Sequence, residues 1–359
     1  MSLPTVVVTR RLSPQARDVL RAHADLVCWE QDCPVDRGWL LDHIPAADGL
    51  YCLLTDRIDR EVLQVGTRLR VISTMAVGYD HIDVGECTTR GIAVGHTPGI
   101  LTETTADLAF ALLLAAARRI VEGADYVRQG QWTTWSPDLL LGQDVYGATL
   151  GIVGFGRIGQ AMARRAQGFQ MNVLAVRSPH GVSGSPPSSD SSGSDIRPSA
   201  TSVSPREILS PGTSQDQSVS ALFHEVNLHE ALARSDFVSL HVPLTPDTHH
   251  LIGEAEFRVM KPSSILVNTA RGAVVDTEAL YHALVKGHIG SAALDVTDPE
   301  PIPASHPLLS LSNCLVIPHL GSASVATRTR MACIAAANVV AGLRGDALPH
   351  CVNPEVYTV

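Results

Sequence analysis

The chain has 359 residues, enough for two or three domains with buried cores. Hydrophobic residues make up 45%, charged residues 18% and aromatics only 4%, so the core must be built from Ala, Val, Leu and Ile, which excludes general disorder and favours helix-covered parallel sheets. A net charge of −9 argues against nucleic acid as a partner.

Val6 to Thr9 is a short β-branched run, Pro14 to His23 has helical spacing, and Gly49 to Leu54 and Val71 to Ser73 read as buried strands. This alternation predicts a small α/β domain with a mostly parallel sheet. Thr102 to Arg119 reads as one long Ala- and Leu-rich helix, apolar almost all round and therefore buried. After a loop with Trp132 and Trp135, strands are expected at Ala148 to Val153, Val173 to Val176, Phe237 to His241, Ile265 to Asn268, Ser291 to Leu294 and Cys314 to Ile317. Helices are expected at Gly159 to Gln167, Asn227 to Ala233, Thr277 to Lys286 and Ala323 to Gly342. Strands separated by helices require crossover connections, so this second domain is expected to be doubly wound, with ligands at the carboxyl ends of its strands.

Between Ser178 and Ser220 lie 15 Ser, 6 Pro and 4 Gly in 43 residues, without a helical or strand period. Such a composition cannot bury enough surface to offset its ordering entropy, and it reads as a disordered insertion in a βα loop. The seven cysteines, Cys28, Cys33, Cys52, Cys87, Cys314, Cys333 and Cys351, are scattered without zinc spacing and read as reduced thiols, so no metal is expected. No export signal or membrane span is visible, which makes a cytoplasmic location the expectation.

Gly154-Phe155-Gly156-Arg157-Ile158-Gly159 is a G-x-G-x-x-G run directly after a strand and opening a helix. Its glycines permit a tight turn, and the N–H groups of Arg157, Ile158 and Gly159 face a pyrophosphate at the positive helix end. A turn chosen only for close strand–helix packing is the plainer alternative. The next strand ends at Arg177 and Ser178, where an NAD site usually carries an acid for the ribose hydroxyls. Guanidinium and hydroxyl suit a 2′-phosphate, so NADPH over NADH is expected, unless Arg177 is an ordinary solvated charge. Arg271, Glu300 and His319 each stand after or near the carboxyl end of an expected strand. Taken singly, each also reads as a structural ion pair, a loop charge and a surface histidine.

In combination, the glycine run followed by Arg271, Glu300 and His319 resembles the D-isomer-specific 2-hydroxyacid dehydrogenase family, in which catalytic Arg, Glu and His occur in that order. "HTPGILTETTADLAFALLLAAARR", "NTARGAVVDTEALYHALVKGHIGSAALDVTDPEP" and "HPLLSLSNCLVIPHLGSAS" carry the likeness over nearly all of the chain except 178–220. "VISTMAVGYDHID", "GQWTTW" and "AGLRGDALP" point to the glyoxylate/hydroxypyruvate reductase branch.

The resemblance implies two Rossmann-like domains around an active-site cleft: a substrate domain at residues 1–104 plus 326–359, and a dinucleotide domain at 105–325. It implies NADPH-dependent reduction of short 2-oxo acids to 2-hydroxy acids. Arg271 and the backbone N–H groups of Val77 and Gly78 would anchor the substrate carboxylate. His319 would give the proton, and Glu300 would keep it charged and oriented. Asp295 would accept from the nicotinamide carboxamide, with Thr269 and Gly321 as further cofactor contacts. Trp135 would reach into the partner's site in a homodimer, or else staple its own subunit. A dinucleotide-dependent corepressor-like scaffold of the same family is the alternative. A long-type phosphoglycerate dehydrogenase is not expected, since no regulatory domain follows Val359, and Glu300 speaks against formate dehydrogenase, which delivers no proton.

Overall fold

The computed structural model describes residues 3–177 and 223–358. The insertion expected at 178–220, with Ser178, lies outside the described residues. The first sheet holds β1 (Thr5–Val8), β2 (Asp25–Cys28), β3 (Gly49–Cys52), β4 (Val71–Thr74) and β5 (Ala93–Gly95) in the order β2-β1-β3-β4-β5. The second holds β6 (Thr149–Val153), β7 (Asn172–Val176), β8 (His224–Glu225), β9 (Phe237–Leu240), β10 (Ile265–Asn268), β11 (Ser291–Leu294) and β12 (Cys314–Val316), in the order β12-β11-β10-β9-β6-β7-β8. Every strand pair in both sheets is parallel. Each order reverses once, between β1 and β3 in the first sheet and between β6 and β9 in the second. In open α/β sheets such reversals open crevices at the strands' carboxyl ends, where ligands bind.

The helices are α1 (Pro14–Arg21), α2 (Arg37–His43), α3 (Arg60–Val65), α4 (Val84–Thr89), α5 (Thr102–Ala117), α6 (Ile120–Arg128), α7 (Arg157–Gln167), α8 (Leu228–Arg234), α9 (Glu254–Val259), α10 (Thr277–Val285) and α11 (Val325–Arg344). Strand periodicity divides the core of the first sheet. Val6 and Val8 pack on one face with Leu20 of α1 and Ala335, Ala336 and Val339 of α11, while Val7 packs on the other with Leu40, Val62 and Leu63. α11 thus follows the last strand of the second sheet in sequence yet covers the first sheet. Its approach is close: a Cβ on Gly342 would stand 2.4 Å from Val71 Cβ. α5 instead packs on the second sheet, its Ala109, Phe110 and Leu113 joining Leu150, Ile152 and Val267.

The long helix expected over Thr102 to Arg119 is α5, which ends at Ala117, and the helix that follows it, α6, was not expected. Arg119 takes φ +50, outside the right-handed range, and the chain turns there into α6. α11 ends two residues beyond the expected Gly342, at Arg344, where Gly345 adopts φ +80 as its left-handed cap.

Candidate active site

Arg271 emerges just past β10, and its guanidinium crosses the cleft to the loop after β4. Nε and Nη2 each donate to Asp80 Oδ1 at 3.1 Å, and Nη1 donates to the carbonyl of Ala270 at 2.9 Å. Burial raises the Asp80 carboxyl, but the Arg271 charge and hydrogen bonds outweigh this and hold it below the ordinary carboxylate value. Gly78 lies under the same guanidinium, for a Cβ there would stand 1.8 Å from Arg271 Nη2. The preceding carbonyl, that of Val77, accepts from His96 Nδ1 at 2.9 Å. A carbonyl can only accept, so Nδ1 carries the proton. In a trans peptide the C=O and the following N–H point opposite ways, so the Gly78 N–H is aimed away from His96. Burial lowers both neighbouring imidazoles: His96, and His81, which meets Thr74 Oγ1 at 3.0 Å and is pushed down to about 4.

His319 follows β12 with φ +52, a left-handed conformation uncommon for a side chain of its size. Its backbone N–H is held by the carbonyls of Asp295, at 2.9 Å, and Ile317, at 3.1 Å. The Asp295 carboxylate, just past β11, accepts from Leu320 N at 2.5 Å and Gly321 N at 2.8 Å. Thr105 of α5 donates to the Gly321 carbonyl at 3.0 Å. These bonds pin the strained turn, and His319 Nδ1 lies 2.6 Å from Glu300 Oε1. Burial raises the Glu300 carboxyl, yet the bond and charge of His319 bring it below its ordinary value, with Arg271 adding to the fall. Asp295 keeps a raised value because burial dominates there over its backbone donors.

An imidazole with one nitrogen committed to a carboxylate and the other free, next to a guanidinium, is equipped to hold an α-oxo carboxylate and exchange a proton with it. The family model of the D-isomer specific 2-hydroxyacid dehydrogenase NAD binding domain matches residues 110–187 and 207–321. A glyoxylate reductase of Korarchaeum cryptofilum is 46% identical over 99% of this chain and 98% of its own length. The chain belongs to the D-isomer specific 2-hydroxyacid dehydrogenase family. Among solved structures, a protein of Thermus thermophilus shares 44% identity at a TM-score of 0.80, covering 97% of this chain and 99% of that one. An NADPH-dependent glyoxylate/hydroxypyruvate reductase of Sinorhizobium meliloti, in complex with NADP and malonate, shares 27% identity at a TM-score of 0.78, with 98% of each chain covered.

As an NAD(P)-dependent oxidoreductase, this dehydrogenase needs room for a dinucleotide, and the glycine run supplies it. Cβ atoms on Gly154 and Gly159 would stand 2.6 Å from the His241 carbonyl carbon and 2.3 Å from the Gly154 oxygen, so packing alone demands glycine at both. A Cβ on Gly156 would meet nothing within 4 Å, and no side chain caps α7 there. The open backbone at a helix N-terminus, with the N–H groups of Arg157, Ile158 and Gly159, fits a pyrophosphate. After β10, Thr269 Oγ1 is buried without a hydrogen-bond partner among the described residues. Both features fit the group that the family binds.

Arg177 closes β7 with its guanidinium 5.9 Å from the Phe155 ring and 5.5 Å from that of Phe223. Its Nε is 3.1 Å from Glu225 Oε2 on β8, a partner the sequence reading did not foresee. Asp80, His96 and Thr105 were also missed. Trp135 is 78% exposed on its own chain, so it staples nothing there.

Proposed function

We propose that this dehydrogenase reduces short 2-oxo acids, glyoxylate and hydroxypyruvate among them, to 2-hydroxy acids with NADPH. The observation that carries the reading is the His319–Glu300 pair at 2.6 Å, with Arg271 close enough to lower Glu300 further. Arg271 and the Gly78 and Val77 N–H groups hold the carboxylate. His319 Nε2, the nitrogen not engaged by Glu300, donates to the oxo oxygen. Arg271 also stabilises the charge that develops on that oxygen. The bound nicotinamide supplies the hydride. Asp295, with lone pairs left over from its two backbone donors, accepts from the carboxamide, and Gly321 and Thr269 line the same site.

The 46% identity to a glyoxylate reductase over full length supports the substrate, and the Sinorhizobium enzyme, solved with NADP, supports the cofactor. Arg177, in place of the usual strand-end acid, supports a 2′-phosphate. The reading divides the chain into a substrate half (1–104 and 326–359) and a dinucleotide half (105–325). It includes a homodimer, because Ile120, Val127, Trp132, Trp135, Leu141 and Tyr146 are all exposed along one segment, and it places the enzyme in the cytoplasm. Among the described residues no helix is long and apolar enough to cross a membrane.

The test is oxidation of NADPH and NADH with glyoxylate and with hydroxypyruvate. Turnover with a higher kcat/KM for NADPH is expected, and Arg177→Asp should move the ratio toward NADH. Dinucleotide binding without turnover of either acid would overturn the enzyme reading in favour of a scaffold.

A further inference from the structure

Beside His319, between the two sheets, lies a cavity of about 660 Å³. It opens at the carboxyl ends of β1, β3 and β4, the edge of the first sheet where its strand order reverses. From that sheet come Arg10, Leu53 and Met75; from across the cleft come Ile302, Leu309 and His319 itself. A cavity of this size holds a ligand far larger than a two-carbon acid. Most of its wall is apolar, and its charges are of two kinds.

The carboxylates are committed, Glu300 to His319 and Asp295 to two backbone N–H groups. The cations are not. Among the described residues, Arg10 is held by one hydrogen bond, to Thr55 Oγ1 at 3.2 Å, and its Nε is buried with no partner. The carboxylate paired with it, Asp32, stands 3.8 Å away with its side chain 94% exposed. Asp56, the buried acid near it, accepts from Thr9 Oγ1 and from the Leu53 N–H at 2.7 Å. Arg328, which also lines the cavity, donates to the His319 carbonyl at 3.4 Å. A half-enclosed apolar space with two under-compensated guanidinium groups favours an anion, because low dielectric strengthens the attraction and a planar fork matches a carboxylate.

We propose that this cavity is a second anion subsite, receiving the tail of a 2-oxo acid that carries a terminal carboxylate, with the methylenes of the tail against Leu53 and Met75. The inference rests on the reduction of 2-oxo acids proposed above and extends its substrates to 2-oxo dicarboxylates. Arg271 would take the carboxylate next to the oxo group, and Arg10 and Arg328 would take the distal one.

The test compares pairs of equal carbon number: 2-oxoglutarate with 2-oxopentanoate, and 2-oxoadipate with 2-oxohexanoate. The dicarboxylate of at least one pair should have a kcat/KM about tenfold above its monocarboxylate, the usual worth of one charge-assisted hydrogen bond. That ratio should fall toward one in Arg10→Met and in Arg328→Met, and should shrink as salt is raised. A wild-type ratio of one or less in both pairs would overturn the proposal, as would a ratio that neither substitution changes. The wild-type comparison decides even if Arg10→Met fails to fold. Glyoxylate serves as the control: no turnover of glyoxylate overturns the function itself, whereas glyoxylate turnover without tail discrimination overturns only the subsite.

Discussion

Glu300 and His319 both project from the second sheet, whereas Asp80 and Arg271 reach each other from opposite sheets, 191 residues apart in sequence. Both pairs join a carboxylate to a basic group, and in both the carboxyl sits below its ordinary value despite burial. The difference lies in what holds each pair. The Glu300–His319 pair stands on a turn pinned by Asp295 and is set before any ligand arrives, as proton transfer requires. The Asp80–Arg271 pair exists only while the two sheets face each other, so it reports and reinforces their alignment. Under the proposed function it also places an anion beside the guanidinium assigned to the substrate's carboxylate, so substrate would compete with Asp80 or share Arg271 with it.

The sharpest way to separate the two pairs is His319→Asn. An amide can hydrogen-bond but cannot deliver a proton, so kcat should fall by about a thousandfold, while dinucleotide binding, followed by fluorescence titration, stays within threefold. A kcat within tenfold of wild type would remove His319 from proton transfer. Arg271→Lys comes next. Lysine keeps the charge but loses the fork, and kcat/KM for glyoxylate should fall by about a hundredfold, mostly through KM.

Removing one carboxylate at a time tests the comparison directly. Glu300→Gln should lower kcat by about tenfold to a hundredfold, because a neutral amide no longer gives His319 Nδ1 its charge-assisted partner. Asp80→Asn should cost less, about fivefold in kcat/KM, through KM and not kcat. Acid stability gives a second readout. A carboxyl depressed in the folded state contributes stability that is present above its unfolded value, near 4, and lost as pH falls through the lower folded value. Each variant should therefore lose less melting temperature than wild type between about pH 5 and pH 2. A loss confined to the same kinetic parameter in both variants would erase the distinction between the pairs.

What the sequence disclosed follows the same division. Groups set within one sheet were legible, since Arg271, Glu300 and His319 each follow a strong apolar strand and the glycine run sits between a clear strand and helix. Groups set across the molecule were not. Nothing local marks Asp80 as the partner of a residue on another sheet, nor Glu225 as the partner of Arg177. Short elements were missed for a different reason. β5 has three residues, Ala93–Gly95, too few to display a period of two, and β8 has two. α6 was missed because only Arg118 and Arg119 part it from α5, without a glycine or proline to announce a new element.

The smallest expected effect comes from His96, which follows β5 and was passed over with it. Its Nδ1–H fixes the Val77 carbonyl, and through the planar peptide it fixes the direction of the Gly78 N–H beneath Arg271. Its own backbone is tied on both sides, the N–H to the His350 carbonyl at 3.1 Å and the carbonyl to Asn338 Nδ2 at 3.0 Å, so the ring is held in place while the 77–78 peptide depends on it. Without the ring the peptide can rotate, and the N–H that the proposed function assigns to the substrate carboxylate would lose its aim. His96→Ala should raise KM for glyoxylate about threefold, within the worth of one neutral hydrogen bond, with kcat within twofold because the proposed proton donor, His319, is untouched. Asparagine, whose side-chain N–H can take the place of Nδ1–H, should restore most of the loss. An effect on kcat as large as that on KM, or no rescue in His96→Asn, would show that His96 supports the fold of this edge and not the aim of the Gly78 N–H.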